Sequence, residues 1–235
     1  MKLRRDLITK IKLIKRNPVF WILCIFDFYI LAFIDNKSYF MTNNYEQSIY
    51  RYNFQQVFIV FTCVFIVHII FNEKELLSIK NYRIIYTSGI KQEMNASLLS
   101  NITIILASFW CGQFISLLVN LLLGGKIFIQ LFFVNLLVVS MEIIASILLT
   151  MGFRMLFVKD MVVYGVYYAL IVFSLMFSNV YISIPLTINV LGIEEQGYYV
   201  SFDKALWIGR IILILIGMII YKLGVKRFER SISES

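Results

Sequence analysis

Asp27 and Glu142 are carboxylates set near the middle of long apolar runs. A charge at the centre of a bilayer costs about 2.5–3.5 kcal/mol on insertion scales, so each must face a protein interior or water. Two readings stand for each. One is a place on a solute pathway, where the carboxylate attracts a cation. The other is a structural carboxyl, protonated by desolvation or hydrogen-bonded by Ser, Thr or Tyr of a neighbouring span. Tyr164 and Tyr168, with Tyr167, fall on a further apolar run and either line the same pathway or pack as ordinary aromatic residues. His68 is the only histidine; with no second His or carboxylate at ligand spacing, it predicts an interfacial hydrogen-bonding role and no metal site. Cys63 and His68 lie about 140° apart around one helix, which forbids a nucleophile–base pair there. Cys111 can meet His68 only through the fold. Glu194 and Glu195 read as solvated external carboxylates, since Tyr199 follows them and no further His exists.

A nucleotide site is not expected in this chain. Phosphate-cradling loops need Gly-x4-Gly-Lys-Ser/Thr, so that backbone amides and the Lys surround the phosphates; Gly125-Lys126 is followed by Ile127 and has no Gly at the required spacing before it. Cys24, Cys63 and Cys111 all sit in apolar runs, a placement that points to packing rather than to a disulfide framework or zinc.

The elements that must hold these residues are membrane spans. The 235 residues are 60% hydrophobic with two prolines and a mean hydropathy of +0.81, more apolar surface than one soluble domain can bury. The net charge of +8 sits beside the apolar runs, where basic residues set orientation and meet anionic lipid; nucleic acid is not expected as a partner.

In chain order, 1–16 predicts an amphipathic interfacial helix, with Leu3, Leu7, Ile11 and Ile14 on one face, Ile8 beside them, and Lys2, Arg5, Lys12 and Arg16 facing away. Asn17-Pro18 breaks it. Six spans are then expected, at 19–34, 57–71, 101–123, 127–151, 161–182 and 205–225. A polar loop over 73–100 separates the second and third, with a small-residue turn at Ser88-Gly89 where Gly can take positive φ. Gly124-Gly125-Lys126 forms a tight external turn. The uncharged run 161–192 would reach roughly 48 Å as one helix, beyond a bilayer core of about 30 Å, so it must break near Pro185 and leave an external re-entrant piece within 183–204. Arg210 lies close enough to the external end of the sixth span to snorkel outward. Of the 22 Lys and Arg residues, 17 fall on one side of this topology, which places both termini and the 73–100 loop in the cytosol.

The order of parts resembles ABC-2-type permeases, the transmembrane subunits of ABC exporters. Met1 to Arg16 matches the amphipathic helix before their first span, Leu76 to Ser88 their coupling helix between spans two and three, and Pro185 to Gly192 their external re-entrant helices. The 73–100 loop departs from the family in detail, because Glu73 and Glu75 precede Leu76-Leu77 where a Gly-Thr pair is frequent. The resemblance implies an all-α integral membrane protein with a single transmembrane domain in a bacterial plasma membrane. It implies coupling to an ATPase through Leu76, Leu77, Lys80, Tyr82, Arg83 and Tyr86, with ATP–Mg on that separate ATPase dimer and no cofactor of its own. A second permease copy or a sister permease would complete the pathway, lipid would surround it, and the substrate would be an amphipathic peptide or another hydrophobic compound, as in bacteriocin-immunity and peptide-export systems. Two alternatives stand beside this one: a membrane peptide-processing enzyme using Cys111 and His68, and a stand-alone bacteriocin-immunity protein.

Overall fold

The computed structural model describes residues 2–31, 62–71, 89–124, 129–157, 165 and 204–233. Among these the fold is all-helical. Helix α1 spans Lys2–Lys15 and α2 spans Pro18–Leu23; α2 continues without a break into a π-helical segment, Cys24–Leu31. Helix α3 covers 62–70, α4 Ile90–Leu122, α5 Ile129–Leu156 and α6 Lys204–Ser233. Three stretches are long and apolar enough to cross a membrane: Ile90–Leu122, Val139–Leu156 and Ile208–Ser231. The described residues thus carry three such helices, where the sequence predicts six; most of 161–182 and of the first half of 57–71 lies outside them.

Local chemistry sets the boundaries. Pro18 has no amide proton to lose at the first helical position, and the Asn17 side chain accepts from the amides of Val19 at 3.0 Å and Phe20 at 3.4 Å, which fixes the start of α2. Helix α4 starts at Ile90, eleven residues before the expected third span. Gly89 precedes it with φ −61° and ψ 131°, so no positive φ is used there. Lys91, Gln92, Glu93 and Asn95, polar enough to suggest a loop, form the first turns of a 33-residue helix about 50 Å long. Gly124 ends α4 at φ +80°, with its amide donating to Leu121 O at 3.0 Å; this is the left-handed conformation that the expected turn needs.

Contacts along the helices give their directions. The ring of Phe28 meets that of Phe109 at 5.7 Å and its carbonyl faces Gly112, while Lys10, before it in the chain, reaches Ser97 and Asn101; 18–31 and α4 therefore run the same way. Helix α5 runs opposite to α4, since Asn101 meets Met151 at 3.2 Å, Trp110 meets Ser140 at 2.8 Å and Phe114 meets Phe132 at 5.6 Å. Helices α5 and α6 are parallel: Glu142 pairs with Arg210, Leu148 packs on Gly217 and Gly152 on Gly224. Helix α3 follows their direction, with Val64 in the cluster of Ala145 and Leu149 and His68 bonded to Arg154. The end of the bundle holding Lys10, Lys91, Arg154, Lys222 and Lys226 is its basic end.

Helices α5 and α6 touch backbone to backbone. A Cβ at Gly224 would stand 2.6 Å from the Gly152 carbonyl, one at Gly152 2.8 Å from the Tyr221 amide nitrogen, and one at Gly217 3.0 Å from Leu148 Cβ. At such an approach the larger side chain must push the helices apart. Gly224→Val is therefore expected to destabilise the protein by about 1–3 kcal/mol in thermal or denaturant unfolding in mild detergent. Gly89→Ala, where nothing lies within 4 Å of a new Cβ, should leave stability unchanged or raise it by about 0.4–1 kcal/mol. Equal losses at both positions would contradict the α5–α6 contact.

Candidate functional site: a buried ion pair between parallel helices

Arg210 and Glu142 are 1% and 0% exposed, and the Arg210 Nη2 donates to Glu142 Oε1. Their depth follows from α4. Trp110 donates to Ser140 at 2.8 Å, so Glu142 lies about half a turn from the level of Trp110, near the middle of α4. Arg210 therefore does not snorkel outward; it turns into the bundle. The reason lies in its register. Arg210, Gly217 and Gly224 recur at seven-residue spacing, which keeps them on one seam of α6, and the two glycines bring α5 close enough for the guanidinium to reach Glu142. Glu142 finds a guanidinium, a partner that none of the readings of the sequence named.

The pair is net neutral, and only one donor and one acceptor are engaged. Glu142 Oε2 and Arg210 Nε and Nη1 are buried and, among the described residues, have no hydrogen-bond partner. Arg210 is thus the charged partner that the structure gives Glu142. Buried ion pairs of this kind bring little net stability, but loss of one partner strands a charge.

Two other buried cations are held at the basic end. Lys10, 3% exposed, donates to Ser97 O at 3.1 Å, Ser97 Oγ at 2.7 Å and Asn101 Oδ1 at 2.8 Å, and Asp6 lies 3.2 Å away. All three ammonium protons have acceptors. The inward face of α1 is thus Leu7, Lys10 and Ile14, and Ile11, expected on the apolar face, is 49% exposed. Arg154 donates to His68 Nδ1, so that nitrogen carries the lone pair and the ring proton sits on Nε2. The expected hydrogen-bonding role of His68 is met by a partner on α5.

Asp27 belongs to the π-helical segment Cys24–Leu31; its side chain lies outside the described residues. The same holds for Leu76, Leu77, Lys80, Tyr82, Arg83 and Tyr86, for Tyr164 and Tyr168, and for the 183–204 segment. Cys24 and Cys63 are buried and Cys111 is exposed. Cys111 stands near the level of Ser140, whereas His68 meets Arg154, about 20 Å further along α5; the fold does not bring this thiol and imidazole together. Among the described residues no group of three or more His, Cys, Asp or Glu is placed to hold a metal ion.

Sequence reasoning missed three buried cations, Lys10, Arg154 and, most telling, Arg210. The signal for Arg210 was present in the seven-residue spacing to Gly217 and Gly224, since a charge on the small-residue seam of an apolar helix is directed at the neighbour, not at solvent. Comparison with protein-family models, curated proteins and solved structures finds no match to this chain.

Glu142→Leu and Arg210→Met are each expected to lower unfolding stability in detergent by about 3–5 kcal/mol, and the double substitution to recover most of that loss. Strictly additive losses in the double variant would show that the two charges are not coupled.

Proposed function

We propose that the chain is a transmembrane subunit of an ATP-driven exporter, working as a dimer with a second permease and drawing energy from a separate ATPase. The observation that supports this most is the alternation of helix directions. The 18–31 helix and α4 point away from the basic end; α3, α5 and α6 point toward it. Helices α5 and α6 are parallel, so the chain leaves α5 at the basic end and enters α6 at the opposite end, an order compatible with the expected fifth span. We read these helices, with one further crossing, as the six crossings of the ABC-2 resemblance, with both termini on the basic side. Residues 72–88, with the expected coupling positions, connect α3 to α4 at that same end, and the positive-inside rule directs it to the cytosol.

In this scheme, closure of the ATPase dimer moves the 72–88 connection, and the motion reaches the pathway through the start of α4. The substrate in this reading, an amphipathic peptide or another hydrophobic compound, rests on the family resemblance. A thiol peptidase gains no support from the separation of Cys111 and His68.

Purification of a tagged copy from its own membranes in mild detergent is expected to recover a stoichiometric soluble subunit bearing a nucleotide-binding loop. Arg83→Glu should leave expression intact and reduce that subunit's recovery. Repeated isolation of the folded chain alone, or undiminished association in the Arg83 variant, counts against the transport and coupling assignments respectively.

A further inference from the structure

Among the described residues, α1 carries a face of charged side chains that the bundle leaves exposed. Leu7, Lys10 and Ile14 hold the helix against α4, which fixes its rotation. Arg4, Ile8, Ile11, Lys12 and Lys15 then fall at i, i+4, i+7, i+8 and i+11, one continuous face, and all are exposed. Arg16 follows at its edge. Among the described residues Arg4, Lys12, Lys15 and Arg16 make no ion pair or hydrogen bond through their side chains; the neighbouring Arg5 is occupied by Glu93 at 3.7 Å. Four exposed cations with two aliphatic side chains among them suit an anionic partner that is also partly apolar.

The surface next to this face narrows the choice. Asn17 alone separates Arg16 from Pro18, and Val19, Trp21, Ile22, Ile25 and Phe26 are exposed on the helix that begins there, Ile22 at 65%. The cations therefore border an apolar wall with an indole near the boundary, where Trp is favoured at membrane interfaces. Phospholipids have this division: phosphate at one end, acyl chains at the other. A nucleic acid or an acidic peptide would engage the cations and leave the wall uncovered. We propose that α1 and the start of the 18–31 helix form a binding site for anionic phospholipid headgroups, with Arg4, Lys12, Lys15 and Arg16 pairing the phosphate, Ile8 and Ile11 touching the glycerol region, and the acyl chains lying along Trp21 and Ile22. The site is independent of the transport assignment.

The test uses the full chain in dodecyl maltoside titrated with phosphatidylglycerol or phosphatidylcholine of the same acyl composition, followed by thermal unfolding and by native mass spectrometry of retained lipid. Phosphatidylglycerol is expected to raise the unfolding midpoint more and to be retained preferentially. The combined Arg4→Gln, Lys12→Gln, Lys15→Gln and Arg16→Gln variant should bind it at least roughly thirtyfold more weakly, the loss of two or more surface charge contacts, with its midpoint in phosphatidylcholine unchanged. The unsubstituted chain gives a second measurement: about 1 M salt, which shortens the screening length to about 3 Å, should abolish the preference. A preference undiminished in the variant or in molar salt overturns the proposal. An equal stabilisation by inorganic phosphate or a short RNA without lipid overturns it too, and assigns the face to a soluble polyanion.

Discussion

The register between α5 and α6 is the constraint on which the rest of the bundle depends. Gly152 and Gly224 bring the two backbones into contact, and the helices then have few ways to slide. A slip of one heptad would separate Glu142 from Arg210 by about 10 Å and leave both charges alone in an apolar interior, so the ion pair selects one of the registers that small residues permit. Specifying register is the best-attested use of buried polar groups, which contribute little net stability. Packing supplies the adhesion and charge supplies the address.

The same division of labour recurs at the basic end. Ile14 and Leu7 give α1 an apolar hold on the bundle, but an apolar stripe alone would let the helix roll. Lys10 prevents that by directing its three donors at Ser97 and Asn101, one turn apart on α4. Asn101 in turn donates to Met151, and Tyr221 reaches Asn95 at 3.4 Å. The first turns of α4, whose polarity suggests a loop when read alone, are polar because they receive α1, α5 and α6.

This explains which features were legible in the sequence. The break at Asn17-Pro18 and the turn at Gly124 were readable because their effects are local, whereas the positive φ lies at Gly124 and not at Gly89, where it was expected. The helical class and the membrane-crossing character of three stretches followed from apolar length. The start of α4 was not readable, because Gln92, Glu93 and Asn95 are equally compatible with a loop until the partners across the bundle are known. Lys10 shares an arc with Leu7 and Ile14, yet periodicity assigns a lysine to solvent. Arg210 was placed by its distance from a helix end, whereas its partner is 68 residues away on a helix whose parallel direction depends on the chain between them.

The helices divide by the kind of contact that joins them. Phe28 approaches Gly112 so closely that the Phe28 carbonyl leaves no room for a Cβ there, which binds the 18–31 helix to α4, and Lys10 adds α1 to the same body. The glycine seam and the ion pair bind α5 to α6, with α3 attached through Val64 and through the His68–Arg154 bond. Between these two bodies the contacts are side chain to side chain: Trp110 with Ser140, Phe114 with Phe132, Asn101 with Met151. Thioether and aromatic side chains re-form such contacts after small displacements, whereas backbone-to-backbone seams do not. The register within the α5–α6 pair, held by backbone contact and by the Glu142–Arg210 pair, is therefore fixed more firmly than the α4–α5 boundary.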